Sequence, residues 1–485
     1  MNEKISRRDA LKITGFAGLA LGGMALQGCN DSDGASTPSS QKYTYFDKLP
    51  SYIPGTETLG ANEMRISIMG SSPVLRRSQA GACVLVELGN GESFVFDCGT
   101  GATINFGALA VPMSKARRVF LTHLHGDHFN DLTNLYCFGP QEDGKSPLYI
   151  WGPSRSHVCN PDTGTDDYDD GTCNFAMHFR EMCRWHTEAQ SFVPTRYDDA
   201  EGDGYDLFAT ELDWLTGGGG SLPATWTTNP TMDNKAHLST TQWVAYQDDA
   251  KGVKITFFPA VHDRNGSISY RLEWNGLSMV YSGDTKPNQF MIENASGVDV
   301  LVHELVVPPE TWSSKQGGSP DPNGGGVKLA RTIEENSHTP EKAFGYIMSQ
   351  LKKAPRLAVG THFQAEDDTA DVALQNIRTW YAGDVAIVTD LVVINVSSTA
   401  ITTRRADVTG FTWNPPAADP TRTMMGHLPK YWDTNTANIY APFAPLSQFD
   451  SSLLAKVIDP CLYDNTQWNC GVTYVPKTYS CCNKT

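Results

Sequence analysis

The sequence predicts an α/β fold, and two features carry that prediction. Short apolar runs typical of strands alternate with helical segments and glycine-containing turns along most of the 485 residues. Hydrophobic residues make up 40% of the chain and aromatic residues 10%, which is enough apolar surface for a sizeable core. At about 150 residues per domain, the length fits about three domains or one large domain with insertions.

Ten apolar runs predict strands, in two groups of five. The first group lies in the N-terminal third of the chain, at 65–70, 82–88, 93–99, 119–122 and 148–151. The second group follows at 253–261, 267–274, 277–282, 298–302 and 356–359. A helix is predicted over 340–352, with Thr339 as its N-cap and Pro340 in its first turn, because threonine accepts a hydrogen bond from a free backbone N–H and proline needs no such bond there.

Two stretches of different composition interrupt or follow these groups. Residues 154–250 hold 17 acidic and five basic side chains and are predicted to form an acidic insertion with surface loops. Residues 405–485 are rich in Pro, Thr, Asn and aromatic side chains and predict a loop-rich extension. Cysteines crowd its end, where an oxidising compartment would permit disulfides whose pairing the spacing does not fix. They are Cys461, Cys470, Cys481 and Cys482.

Four further cysteines fall into two pairs with different expected roles. Cys159 and Cys173 bracket an Asp/Gly-rich loop, and an oxidising compartment would permit a disulfide there as well. Cys83 and Cys98 lie in strand-like runs and are predicted to be buried thiols.

The N-terminus predicts export. The segment 6–12 contains Arg7 and Arg8 and resembles a twin-arginine signal, and the apolar run 13–26 after it is too short to span a bilayer comfortably. The sequence Leu-Gln-Gly-Cys at 26–29 resembles a lipobox, which predicts a signal peptide over 1–28 and acylation of Cys29. Residues 29–41 are small and polar and suit a flexible tether. The expected location is the periplasm, with a membrane tether through Cys29; the alternative is a soluble exported protein cleaved elsewhere.

The overall charge excludes one class of partner. The chain carries 38 basic and 54 acidic residues, a net charge of −16. No nucleic-acid partner is expected, because phosphate contacts require clustered Lys and Arg.

Only one apolar stretch could reach a membrane, so a multi-span membrane protein is excluded. The oligomeric state stays open.

The chemistry is concentrated in Thr122-His123-Leu124-His125-Gly126-Asp127-His128, directly after a predicted strand. Three imidazoles and a carboxylate so close together are hard to explain as core packing. His123 and His125 can hold one ion, while Asp127 and His128 can hold a second ion ~3.5–4 Å away, the spacing of two-metal hydrolytic sites. Nitrogen and carboxylate ligands favour zinc, with manganese or iron as alternatives.

The pattern His-x-His-x-Asp-His resembles the signature of the metallo-β-lactamase fold superfamily. The other segments that this family has after its strands follow in the expected order, and they contain Asp97, His262, Asp284 and His362. The resemblance implies a four-layer αβ/βα sandwich over 42–404 and two divalent metal ions. It implies that one ion is held by His123, His125 and His262, and the other by Asp127, His128 and His362. Asp284 would bridge the ions, and Asp97 would support a ligand imidazole from behind.

Within that superfamily the chain is most similar to the ribonuclease Z and arylsulfatase-like branch. The glycine turn at 70–73, the strand end at 299–304 and the segment 337–343 carry this likeness. It implies that His338, paired with Glu304, faces the scissile ester at the start of a helix, where free N–H groups suit an anionic group.

These features predict an exported metal-dependent hydrolase of a small ester, with a phosphodiester or aryl sulfate favoured. The two ions would activate a water molecule, Asp127 would orient it, and His338 would stabilise the oxyanion or protonate the leaving group. The alternative is a lactonase or β-lactam-type hydrolase on the same two-metal site, whose branches lack the counterpart of His338. A lipoprotein with a vestigial metal site is disfavoured by the complete ligand set.

Overall fold

The computed structural model describes residues 49–408 apart from 75, 143–147, 165–167, 191–206, 215–242 and 367. All of these belong to one unit, Tyr43–Thr485. The predicted signal peptide, the tether with Cys29 and the four C-terminal cysteines lie outside the described residues. No helix among the described residues combines the length and the apolar character that a membrane crossing needs.

Sixteen strands are present in the described part of the chain. They are β1 Ser51–Tyr52, β2 Met64–Gly70, β3 Cys83–Leu88, β4 Ser93–Phe96, β5 Arg118–Phe120, β6 Leu148–Pro153, β7 Leu207–Leu212, β8 Val244–Asp248, β9 Val253–Pro259, β10 Ile268–Trp274, β11 Leu277–Tyr281, β12 Val300–Glu304, β13 Leu357–Thr361, β14 Val385–Ile387, β15 Val392–Val396 and β16 Ile401–Ala406. Each of the ten predicted strands is among them, with ends displaced by at most three residues.

The strands form two sheets. The nine-stranded sheet has the order β1-β16-β15-β2-β3-β4-β5-β6-β7, and the seven-stranded sheet has the order β14-β13-β12-β11-β10-β9-β8. Strands β4 to β7 run parallel, as do β11 to β14. β9 and β11 each pair antiparallel with β10, so both point the same way as β12 and β13.

The described helices lie between these strands along the chain. They are α1 Ala102–Ala108, α2 Gly126–Phe129, α3 Leu132–Glu142, α4 Thr172–Met182, α5 Arg184–Gln190, α6 Gln289–Asn294, α7 Pro309–Lys315, α8 Gly325–Ser337, α9 Glu341–Gln350 and α10 Ala370–Arg378, with a 3₁₀ helix at Met113–Ala116.

Alternation along the strands explains the layers. In β3, Val84 and Val86 pack in the core between the two sheets, while Leu85 packs against α1, α3 and α4 on the other face. Helices α6, α9 and α10 pack against the second sheet. The predicted α/β fold and the layered αβ/βα sandwich are therefore confirmed.

The acidic segment contains more regular structure than the sequence predicted. It supplies α4, α5 and an edge strand to each sheet, because β7 pairs parallel with β6 and β8 pairs antiparallel with β9. Cys159 and Cys173 are both exposed free thiols, so the structure has no disulfide between them. Cys83 and Cys98 are buried free thiols, as predicted.

The predicted cap of the helix after His338 is wrong. Pro340 occupies the N-cap position of α9, with extended backbone and no side-chain cap. Thr339 is buried, and its hydroxyl donates to the Thr285 carbonyl at 2.6 Å. The hydroxyl is thus used to join this segment to the loop after β11.

Candidate metal centre

The predicted site residues lie where strands of both sheets end. β4 and β5 of the first sheet lead to Asp97 and to the segment His123–His128, while β9, β11 and β13 of the second sheet lead to His262, Asp284 and His362. The carboxyl ends of parallel strands meet at one edge of a sheet, which is where ligands of open α/β sheets bind. The packing of the two sheets brings both edges together.

The first group of candidate ligands consists of His123, His125, His262 and Asp284, whose ligand atoms all lie within 4.8 Å of one another. The Nε2 atoms of His123 and His262 are each 3.8 Å from Asp284 Oδ2. His125 Nδ1 is 3.2 Å from His262 Nε2. These four residues suit a tetrahedral ion, and the His125 side chain forms its exposed edge, at 46% exposure.

The second group consists of Asp127, His128, Asp284 and His362, also within 4.8 Å. His128 Nε2 lies 3.3 Å from Asp284 Oδ1, and His362 Nε2 lies 3.4 Å from the same atom. Asp127 Oδ2 is 3.3 Å from His362 Nε2. The two carboxylate oxygens of Asp284 therefore face different groups, as a bridging ligand requires.

The chemistry of these atoms fits metal ions. His123 Nε2, His128 Nε2 and Asp284 Oδ1 are buried and make no hydrogen bond of acceptable geometry, although His128 Nε2 and Asp284 Oδ1 lie 3.3 Å apart. Buried polar atoms without partners are uncommon in folded proteins, and each one needs a physical explanation. A divalent cation in each group would satisfy all three atoms. The structure thus brings together all seven predicted ligands, and their coordination of metal remains a prediction.

Asp97 supports the site from beneath. Its carboxylate accepts hydrogen bonds from His128 Nδ1 at 2.8 Å, from the Thr122 backbone N–H at 2.7 Å and from the Tyr281 hydroxyl at 3.0 Å. The first of these leaves His128 Nε2 free to face a metal. Sequence reasoning missed Tyr281, because a tyrosine at the end of an apolar strand resembles a core residue.

His262 is oriented in the same manner by a different acceptor. Its Nδ1 donates to the Ser337 carbonyl at 2.8 Å, which directs Nε2 toward the first group. This acceptor is a backbone atom, so no sequence motif could have revealed it.

His338 and Glu304 form a buried pair at the edge of the second group. His338 Nδ1 is 2.9 Å from Glu304 Oε2 and 3.9 Å from Asp284 Oδ2. Glu304 is fully buried and also accepts the Thr285 backbone N–H at 2.5 Å. His338 lies at the junction of two helices, as the C-cap of α8, and α9 starts only at Glu341. The carboxylate, and not a helix N-terminus, sets its environment.

Electrostatics separates His338 from two of the candidate ligands, His123 and His262. Burial lowers the pKa of His123 well below its usual value and that of His262 to about 4, which favours the neutral imidazole that metals bind. Burial also opposes the charged form of His338, but the Glu304 carboxylate outweighs it and raises the pKa of His338 to about 10. The neighbouring imidazoles of His262 and His338 therefore favour opposite protonation states. Burial also opposes the charged form of His128, but the Asp284 and Asp97 carboxylates outweigh it and raise the pKa of His128 well above its usual value.

This fold and this cluster define the class of protein. The family described as the metallo-beta-lactamase superfamily matches residues 77–136, which include the segment with His123, His125, Asp127 and His128. A segment of the chain thus matches the metallo-beta-lactamase superfamily, and the chain is a metal-dependent hydrolase.

Several known proteins are similar to parts of this chain. Ribonuclease Z from Mycobacterium avium is 26% identical over 251 residues, which cover 50% of this chain and 70% of that protein. Zinc phosphodiesterase ELAC protein 1 from Bos taurus is 33% identical over 94 residues, which are 19% of this chain and 26% of that protein. The solved structure of human tRNase Z, short form, is 19% identical with a TM-score of 0.42, covering 68% of this chain and 98% of that chain.

Proposed function

We propose that this hydrolase cleaves a small anionic ester, with phosphodiesters first and aryl sulfates second, at a site that holds two divalent cations, most naturally zinc. The observation that carries the proposal is the His338–Glu304 pair, 2.9 Å apart and beside the bridging carboxylate Asp284. A cationic imidazole at that position suits a substrate whose reacting group is itself anionic. The similarity to a ribonuclease Z and to a zinc phosphodiesterase supports the phosphodiester.

Different residues of the chain would have different roles in the proposed reaction. Two bound cations would supply hydroxide near neutral pH and offset the negative charge that develops on the ester. Asp127 is 30% exposed, so its carboxylate reaches solvent and orients the attacking water. His338 keeps one proton on Nδ1, in the bond to Glu304, and its other ring nitrogen donates to the leaving oxygen. Glu304 fixes the orientation of the imidazole.

A lactonase or β-lactam-type reaction would use the same seven ligands. Such substrates have a neutral carbonyl group, and the imidazolium of His338, paired with Glu304, would then have no evident task. The geometry therefore favours the anionic ester.

The location is proposed from the N-terminal sequence alone. The segment with Arg7 and Arg8 and the lipobox-like sequence ending in Cys29 support a periplasmic protein tethered to the membrane by acylation. The substrate would then be a small molecule that is present outside the cytoplasm.

A metal analysis combined with a substrate panel tests this function. Protein purified without chelators should contain close to two transition-metal ions per chain. It should hydrolyse bis(p-nitrophenyl) phosphate or p-nitrophenyl sulfate faster than a chromogenic lactone or β-lactam. The Asp284→Ala variant should lose metal and activity together. Faster turnover of the lactone or β-lactam would contradict the proposed substrate, and protein that neither contains nor binds zinc or manganese would contradict the whole site.

A further inference from the structure

A cavity lies beside the candidate metal centre, and the proposed reaction does not use it. Its volume is about 440 Å³. One wall comes from the loop that carries the first ligands, and the opposite wall comes from α4 of the acidic segment. The side chains that line it include Leu124, Phe129, Phe175, His178, Phe179 and Met182.

The walls of this cavity are mostly aromatic and apolar, and the polar side chains that line it are Asp169, Asp170 and His178. The Phe129 and Phe175 rings meet edge to face with centroids 4.7 Å apart, and the Phe175 and Phe179 rings stack at 5.7 Å. Phe179 is buried in the core, whereas Phe175 is only partly covered. Met182 is 66% exposed at the end of α4. The cavity thus offers ring faces and a thioether to an incoming group.

The cavity shares its loop with the metal ligands. Leu124 lies between His123 and His125 in the sequence, and Phe129 directly follows His128. His125 is the exposed edge of the first group of ligands. The cavity and the candidate metal centre therefore share one loop, in which His125 is the exposed ligand.

A second connection fixes the other rim of the cavity. Asp170 lines the cavity and pairs with Arg264 at 2.7 Å, two residues after the candidate ligand His262. Asp170 also accepts the Ser156 backbone N–H at 2.9 Å. The rim is thus joined to the loop that carries His262.

We propose that this cavity binds an apolar aryl group of the substrate while the anionic ester group lies at the metal centre. The inference rests on the proposed function, whose substrate class it narrows to aryl-bearing phosphate or sulfate esters. A cavity of ~150 Å³ holds benzene, so ~440 Å³ accommodates a substituted or bicyclic ring. Aromatic walls also favour ring faces and edges beyond the area that they bury. The acidic segment acquires a role as the element that selects the substrate.

Diphenyl phosphate and dimethyl phosphate test this inference, because they share one anionic head and differ only in their apolar groups. Their dissociation constants are measured by calorimetry on the zinc-loaded protein. Their inhibition constants are measured against bis(p-nitrophenyl) phosphate. Diphenyl phosphate should bind at least ~10-fold more tightly, as burial of one ring predicts.

Two variants and a control place the preference in the cavity. Phe175→Ala should reduce the ratio of the two affinities by about fivefold or more. Met182→Asp changes an exposed side chain, so it should fold normally and should also reduce the ratio, since a charge at the mouth disfavours an apolar ring. Trp185→Ala removes a 91% exposed aromatic side chain on the next helix and should leave the ratio and the activity unchanged.

The outcomes separate this inference from the proposed function. Equal affinities for the two phosphates, or a ratio that neither Phe175→Ala nor Met182→Asp changes, would overturn the aryl cavity even if esters are hydrolysed. A preference for diphenyl phosphate that depends on these residues, without hydrolysis of any ester, would support the cavity and contradict the proposed function. If Phe175→Ala does not fold, Met182→Asp decides.

Discussion

At the scale of single residues, the site depends on backbone conformations that most side chains avoid. Asp97 and His362 both have positive φ, 57° and 54°, and each directly follows a strand of a different sheet. Left-handed conformations in non-glycine residues cost free energy and persist where the surroundings determine them. Here they turn an aspartate and a histidine from the strand ends into the metal centre.

His338 is expected to act on the reaction rather than on metal binding. His338→Ala should keep both metals and a KM close to that of the unmodified protein for a phosphodiester, while kcat falls by ~10²–10⁴, the range of general acid–base catalysis. The loss should shrink for nitrophenolate leaving groups, which need little protonation. Metal content and kcat across leaving groups of increasing pKa check this.

The comparison for that variant is Asp284→Ala, which should lose metal. Loss of metal from His338→Ala would make His338 a ligand. An unchanged kcat on every ester would remove its catalytic role and would favour the lactonase alternative.

Asp97 is expected to control metal affinity without touching the metal. Asp97→Asn places an amide N–H₂ among the donors Thr122 and His128, so the imidazole loses its anchor. Zinc affinity should fall by about 10–100-fold, the usual effect of removing such a support. The check is a competitive zinc titration against a chromogenic chelator. The control is Asp131→Asn. Asp131 is a buried carboxylate outside the two ligand groups, and it accepts a hydrogen bond from the Thr103 backbone N–H at 2.8 Å. Equal losses of zinc affinity in both variants would indicate general damage to the fold.

At the scale of elements, helix α9 begins with a carboxylate in an unfavourable position. Glu341 is 3% exposed; its Oε2 accepts from Asn376 Nδ2 at 2.5 Å, while Oε1 has no partner. Burial raises the pKa of Glu341 to about 7. The folded state therefore binds this proton more tightly than the unfolded state, and the free energy of unfolding falls as pH rises from about 4.5 to about 7.

Glu341→Gln should remove that pH dependence. From pH 5 to pH 8, the free energy of unfolding of the variant should rise by about 1–3 kcal/mol relative to that of the unmodified protein, the scale set by a pKa change of this size. Urea denaturation at both pH values measures the change. Glu335→Gln, at an exposed position of α8, is the control and should have no such effect. A difference that is the same at pH 5 and pH 8 would contradict the expected titration.

Most of the strands that the sequence predicted are deeply buried, although the buried strand β15 was missed. Strands such as β2 and β12 are buried along their whole length and stand out as apolar runs. The edge strands β7 and β8 alternate or are only half-buried, and they lie in an acidic stretch, so no apolar run marked them. His123, His125, Asp127 and His128 could be predicted because they form one short motif. His262, Asp284 and His362 are separated along the chain and were predicted from the family resemblance. The contacts of Tyr281 and of the Ser337 carbonyl were not, because they depend on tertiary packing.

At the scale of the whole molecule, export is the main prediction that the sequence makes. Replacing Arg7 and Arg8 with Lys should block export, since the twin-arginine pair is the feature that this pathway recognises. Cys29→Ser should leave export intact and release the protein from the membrane, because acylation needs the thiol. Cell fractionation and mass spectrometry of the mature N-terminus check both. A mature N-terminus without acylation, or one that lacks Cys29, would contradict the lipoprotein.

The division of the site between the two sheets bears on the biogenesis of the protein. Asp127 and His362 face each other at 3.3 Å although they are 235 residues apart in the chain. An ion coordinated by both side chains would link one sheet to the other, and it would stabilise only the completely folded protein. Synthesis must therefore reach β13 before the second group of ligands exists. If the predicted twin-arginine signal directs export of the folded chain, the protein would carry the ion of the compartment where it was made. The metal ions available in the cytoplasm, and not those at the final location, would then determine which metal occupies the site.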